Sequence, residues 1–349
     1  MTKLPPGFTH ELVQHIQLEP TPDEVLGVPI LNFDHFCCGA HGLSVLIETE
    51  LGRGQDVQAF TTLFDTGPDQ FSLVRNALGL KIPTEKITRV VTSHWHSDHT
   101  GGLLSFLKLR KGQAQARVGS PDEQTPCIVD VHPDRPTARG IAPRPNYDTV
   151  ICALAIDPTF KEIEEAGGLV EKHAEAHAVA GGTVWVSGEI PRVTEWETGI
   201  LGGSRWVDGA AGEKGRWTAE PHIMDERYVV VDVKGKGLVI FSACSHAGII
   251  NVIKDAIAVL QRPIFMVVGG LHLAGPEFSP RIPPTVDFMS KSLRPAPAYV
   301  LPMHCSGFQS KIALEKAFGE GCVPAGVGLK VNLVANDGAE DHMYPPVIA

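Results

Sequence analysis

The sequence predicts an α/β protein. Short apolar runs bounded by Gly, Pro or polar residues alternate with stretches of helical periodicity, and several of the runs are followed within a few residues by a histidine. The runs that read as buried strands include residues 43–47, 62–64, 87–92, 127–131, 228–233, 238–242, 264–268 and 298–301. Helical periodicity appears in 70–78, 102–108, 249–260, 286–293 and 310–318. In 249–260, Ile249, Val252, Ile253, Ile257 and Leu260 form one apolar stripe.

A hydrophobic content of 43% over 349 residues is enough for a large core and excludes a disordered chain. We expect one domain over residues 1–349, its core roughly 25–335, with insertions at about 111–145 and 181–222. The first insertion is rich in Pro, Arg and Asp and reads as surface loop around one strand. The second is glycine-rich and carries Trp185, Trp196, Trp206 and Trp217. Long aromatic-bearing loops more often cover a binding site than link domains.

A net charge of −10 disfavours a nucleic-acid partner, since dedicated binders carry a basic face and only residues 108–111 cluster basic groups. It gives no reason to expect an anionic membrane surface either. No run approaches the ~18 apolar residues of a membrane span. Residues 1–19 hold no apolar segment of the secretory type. The seven cysteines show no CxxC pair and no disulfide framework, so a reduced cytoplasmic protein is expected. The expected partner is a small-molecule substrate, and the oligomeric state is left open.

The strongest signal is the run from Ser93 to Gly102, with His94, His96, Asp98 and His99 directly after an apolar run and before a helical stretch. Three imidazoles and a carboxylate on a strand-to-helix turn can point into one small volume. They suit zinc, iron or manganese, and four such groups so close together suggest more than one ion. His246, His272 and His304 each follow an apolar run in the same way. In open α/β folds binding groups converge at the carboxyl ends of strands. Cys244 reads either as a thiolate ligand or as a small core residue.

These residues resemble the metallo-β-lactamase superfamily, whose HxHxDH signature matches His94, His96, Asp98 and His99. Phe64-Asp65-Thr66-Gly67 looks like the superfamily's preceding strand-end Asp motif. Five further segments resemble the dihydropterin–ribofuranosylaminobenzene phosphate synthase branch. They begin at His41, Ser187, Cys244, Gly269 and Pro302, and the resemblance spans roughly residues 41–307. It implies an αββα sandwich with a metal site at one rim between the sheets. His94 and His96 would hold a first metal, and Asp98, His99 and His304 a second. The superfamily's usual third motif is absent, so the remaining first-metal ligand would be His246 or His222. Cys244 stands near where many relatives carry a metal-bridging Asp.

The expected function is a metal-dependent hydrolase using a metal-bound hydroxide on a small molecule. The expected cofactor is one or two divalent ions, zinc foremost, with iron and manganese as alternatives. Asp98 would orient the nucleophile, while His272 and His41 would polarise the substrate or protonate the leaving group. For His272 and His41 the competing role is a hydrogen bond that orients a ligand. Arg192 is either an anion-binding group or a structural one. The alternatives are a pterin-related synthase or lyase of the methanopterin-pathway type, and an iron-dependent oxidoreductase on the same fold. A purely structural metal fits poorly, because such sites are usually closed, four-coordinate and Cys-rich.

Overall fold

The computed structural model describes residues 4–10, 22–33, 36–52, 54–118, 126–210, 213–336 and 343–348. Two sheets face each other with helices on both outer sides, an αββα sandwich. The first sheet has the spatial order Val45–Leu51, Gln58–Phe64, Arg89–Val91, Cys127–Val131, Gly168–Lys172. Its first pair is antiparallel and the rest are parallel. The second sheet runs Tyr299–Pro302, Ile264–Gly269, Gly237–Ser242, Val229–Val233, Val184–Val186, His177–Val179. There the first three strands are parallel and the rest antiparallel.

Period-two alternation decides which residues meet. Phe64 and Val91 of the first sheet pack inward against Val184, Val186 and Val229 of the second. Leu63, Val90 and Val129 face outward onto Leu103, Phe106 and Leu107 of helix Leu103–Val118. On the far side, Leu238, Ile240 and Val267 meet helix Ile249–Leu260, which buries Ile249, Ile250, Val252, Ile253, Ala256 and Ile257. Each fully buried aliphatic side chain in that interface contributes about 1.5–3 kcal/mol. The predicted bounds 127–131 and 249–260 coincide with the observed elements.

Three expectations need correction. The helix predicted at 102–108 continues to Val118, so residues 111–118 are not loop. Lys, Gln, Ala and Arg, all good helix formers, outweigh Gly112 in that stretch, and Gln113 accepts hydrogen bonds from the Thr84 N–H and hydroxyl. The two stretches read as loops also pair with each other. Arg139–Ile141 lies between Gly203–Val207 and Cys152–Ala153, and Arg216–Ala219 completes a four-stranded antiparallel sheet. Such pairing joins segments about sixty residues apart, and local periodicity cannot report it. Finally, the helix predicted at 286–293 starts at Ile282, with Pro283 in its first turn, and ends in a π turn at Phe288–Ser292.

Trp185 and Trp196 pack against the core, while Trp206 and Trp217 face each other across a strand pair. No helix among the described residues is long and apolar enough to cross a membrane.

Candidate metal centre

Five strands from the two sheets end at one rim, and each delivers a polar group there. Gln58–Phe64 ends in Asp65, and Arg89–Val91 leads into the His94–His99 turn. Gly237–Ser242 is followed by Cys244 and His246, Ile264–Gly269 by His272, and Tyr299–Pro302 by His304. Asp65, Ser245, His272 and His304 have φ of 59°, 61°, 48° and 49°. This left-handed backbone is costly for non-glycine residues and gathers at functional sites. Close approach also requires two glycines. A Cβ on Gly102 would lie 2.1 Å from the Thr66 carbonyl oxygen, and one on Gly270 would lie 2.6 Å from Cys305 Sγ.

Two adjoining clusters result. In the first, His94 Nε2 lies 3.0 Å from His96 Nδ1, and His246 Nε2 lies 3.1 Å and 3.2 Å from the same two atoms. In the second, Asp98 Oδ2 lies 3.3 Å from His304 Nε2 and 3.6 Å from His99 Nε2. Cys244 Sγ sits 3.1 Å from both His99 Nε2 and His304 Nε2. The structure thus brings together all six residues predicted as ligands. His246, not His222, completes the first cluster. His222 is exposed and lines a separate surface cavity with Arg192, Thr194 and Glu197.

His272 and His41 flank the clusters. The His272 ring is 4.6 Å from that of His246. His41 is 73% exposed, with Nε2 3.9 Å from Asp98 Oδ2 and its ring 4.5 Å from that of His304. Beyond His272 lie Phe278, 4.8 Å away ring to ring, and the Arg281 guanidinium over the Phe278 face.

A hydrogen-bond relay sets the ring orientations. Fully buried Asp65 accepts from the Ser93 N–H at 2.6 Å, the Ser93 hydroxyl at 2.7 Å and His99 Nδ1 at 2.8 Å. The Ser93 hydroxyl proton is therefore committed to Asp65, and its oxygen accepts from His94 Nδ1 at 2.8 Å. In its neutral form each ring therefore keeps its proton on Nδ1, which leaves Nε2 as the atom free to ligate. Glu226 accepts from the His246 and Ala247 N–H groups, both at 2.7 Å. Asp225 accepts from the Trp95 N–H at 2.6 Å, and Arg139 donates to the Trp95 carbonyl at 2.6 Å while pairing with Asp225. Trp95 is fully buried beneath the turn, not facing the site. Arg192 donates to the carbonyls of Ile190 and Ile223, which suits its structural reading.

Sequence reasoning missed Arg139, Asp225 and Glu226. The one available signal was the charged run 225–227 just before an apolar strand, all three residues nearly inaccessible.

Burial, aided by neighbouring rings, keeps His94 and His246 neutral far below the usual imidazole range. Burial and the Arg139 cation push His96 down to about 3. Burial also lowers His304, although Asp98 pulls the other way. His99 is the exception: burial would lower it, but Asp65 and Asp98 raise it to about 9. Despite its burial, Asp98 is held ionised well below the usual carboxylate range by His304 and His99. Burial, reinforced by Cys305, pushes the Cys244 thiol up.

The donor set fits a divalent ion. Neutral imidazoles with converging lone pairs cannot satisfy one another, and a zinc-sized ion accepts them all. Ligands about 2.0–2.1 Å from a tetrahedral ion stand roughly 3.3 Å apart, close to the spacing of the first cluster. A third group, Asp130 with His173 and His177, differs: Arg227 and Arg89 already neutralise Asp130.

Residues 55–194 match the family model of the metallo-β-lactamase superfamily. A curated relative from Methanocaldococcus jannaschii, 7,8-dihydropterin-6-methyl-4-(β-D-ribofuranosyl)-aminobenzene-5′-phosphate synthase, is 29% identical over 283 residues, 80% of this chain and 85% of its own. The uncharacterized protein MJ0448 of the same organism is 27% identical over 284 residues, 79% of this chain and 88% of its own. The crystal structure of Tm1679, a metal-dependent hydrolase of the β-lactamase superfamily, superposes with a TM-score of 0.60 at 22% identity. The match covers 84% of this chain and 93% of that one, and it shows the fold. With its two facing sheets and its rim of histidines, the chain has the metallo-β-lactamase fold, and its residues 55–194 resemble that superfamily.

Proposed function

We propose that the protein is a metal-dependent hydrolase-type enzyme acting on a small molecule, with His94, His96 and His246 holding one divalent ion and Asp98, His99 and His304 a second. The observation that carries this reading is the pair of adjoining clusters opening toward solvent, with the Asp98 side chain 29% and that of His41 73% exposed. A structural ion needs no such opening. Zinc is the expected ion, with iron and manganese as alternatives. When bound, such an ion supplies Lewis acidity and brings the pKa of a coordinated water toward ~7.

The chain's own residues do the rest. Asp98, ionised and facing the opening, orients the attacking water while also serving as a ligand. Burial and the Arg281 cation hold His272 down to about 4, so it is neutral near pH 7 and polarises the substrate through an N–H. His41 lies at the outer edge beside Asp98 and passes a proton to the leaving group. The Asp65–Ser93 relay holds His94 and His99 in one tautomer throughout.

The test is a panel of esters, lactones, phosphodiesters and β-lactams, assayed with the native chain, the chelated chain and His96→Ala. Activity on one class, lost in both controls, is expected; indifference to both overturns the proposal. A second reading, a pterin-related synthase or lyase, is supported by the name of the 29%-identical relative. Quenching of pterin fluorescence, or thermal stabilisation by a pterin, would favour it over general hydrolysis.

A further inference from the structure

We propose that Phe278 and Arg281 form the far end of the substrate site, where Arg281 holds a carboxylate or phosphate group carried by an elongated substrate with a flat, apolar middle. The inference rests on the metal-site reading above and adds to it the chemical class of the molecule.

A row of side chains carries the argument. The His246 ring, in the first metal cluster, stands 4.6 Å from that of His272, and His272 meets Phe278 edge-on at 4.8 Å. The Arg281 guanidinium carbon then lies 4.6 Å from the centroid of the Phe278 ring, which holds the cation over its face. His272, Phe278 and Arg281 are all half-buried, so solvent reaches each of them. The row thus begins at a proposed ligand and ends on a cation, with an aromatic ring between.

Arg281 has no acidic partner. Arg89, Arg139, Arg205 and Arg227 each pair with a carboxylate. Arg281 instead donates to the Gly199 carbonyl at 3.0 Å and the Thr198 hydroxyl at 3.1 Å. A guanidinium carries five N–H donors, and among the described residues the remaining ones have no partner. The carboxylates close by are engaged elsewhere. Glu277 pairs with Arg144 at 3.2 Å, and Glu197 accepts from the N–H groups of Ile250 and Asn251 at 2.9 Å and 2.8 Å. What separates Arg281 from Arg75 and Arg192, which donate only to carbonyls, is its ring contact leading to the metal rim.

The fork is also held in place. Gly199, whose carbonyl anchors it, has a φ of 89°, and a Cβ there would collide with the Pro221 carbonyl oxygen. A planar guanidinium fixed in this way receives a carboxylate or phosphate through two parallel N–H bonds. The reacting bond sits at the metal clusters and the anion sits two ring contacts beyond His246. The substrate must therefore span His272 and Phe278, and its middle packs beside the Phe278 ring.

The test is isothermal titration calorimetry of the chain as purified, with metal content measured on the same sample. The probes are naphthylphosphonate, naphthoate and the uncharged naphthol. At least one anion should bind the native chain more tightly than naphthol does, and the tighter of the two identifies the group. Arg281→Gln should bind that anion about 10–100-fold more weakly, the worth of a charge-assisted hydrogen bond, and should bind naphthol as the native chain does. Anions that bind no better than naphthol overturn the proposal, and so does anion affinity unchanged in Arg281→Gln. An equal loss of naphthol affinity in the variant also overturns it, because Arg281 would then only shape the fold. A metal-free sample rejects the metal-site reading while the contrast between native chain and Arg281→Gln still decides the anion site. Should Arg281→Gln not fold, a crystal structure of the native chain with naphthylphosphonate decides: the phosphonate is expected on Arg281, and its placement on the rim histidines or elsewhere overturns the proposal.

Discussion

Replacing Asp65 by Asn should weaken metal binding in both subsites, although Asp65 is not itself a proposed ligand. In the native site one carboxylate oxygen accepts from the Ser93 N–H, and the other accepts from both the Ser93 hydroxyl and His99 Nδ1. An amide cannot reproduce this. If its oxygen faces the hydroxyl and the imidazole, its NH₂ meets the Ser93 N–H, donor against donor. If it turns over, its NH₂ faces His99 Nδ1, and the imidazole must carry its proton on Nε2, where it can no longer ligate. Loss of an outer-shell partner typically costs about 10–100-fold in metal affinity, or about 1.4–2.8 kcal/mol. The metal-free protein should also lose about 1.5–3 kcal/mol, the worth of one charge-assisted hydrogen bond. Competition against a chromophoric chelator measures the first quantity and thermal or denaturant unfolding the second. Ser93→Ala breaks only the limb to His94, so it should weaken one subsite and spare the other. The relay is refuted if folded Asp65→Asn binds metal as tightly as the native chain.

Other expectations follow from the same geometry. His246→Ala should lose first-subsite metal, whereas His222→Ala should leave metal content unchanged, as elemental analysis will tell. His272→Ala and His41→Ala should retain metal but lower kcat/KM on the substrate found in the panel by about 10²-fold or more, the usual span of proton-transfer catalysis. Asp130→Asn should destabilise the fold by about 3–5 kcal/mol, because it strands the almost inaccessible Arg227 guanidinium. Desolvation opposes ionisation of Asp130, but its bonds with His177 and Arg227 hold it down to about 2, below its ordinary value of about 3.9. Its stabilising contribution is therefore complete above about pH 4 and is lost as pH falls through about 2, and acid titration of native chain against Asp130→Asn should show the difference narrowing there.

The parts of the fold written in local periodicity were legible: the strand 127–131 and the helix 249–260 each carry their own hydrophobic pattern. So was the approximate site, because each histidine follows an apolar run that becomes a strand, and parallel strands deliver their ends to one rim. What sequence could not show was pairing at a distance. Arg139 lies in a stretch that reads as surface loop, yet its strand joins Gly203–Val207 and its guanidinium braces Trp95 from beneath the metal turn. His246 and His222 likewise are equivalent by spacing alone, and only the fold brings His246 to the rim and leaves His222 at a separate surface cavity. Cys244 stayed ambiguous for the same reason: only the direction of its sulfur separates a ligand from a core residue.

Elemental analysis of the chain purified without added metal, with His96→Ala as comparison, shows whether these rim residues hold metal. One or two divalent ions per native chain are expected, with a marked loss in folded His96→Ala. A native chain with no stoichiometric metal, or a folded His96→Ala with an unchanged complement, would contradict this expectation.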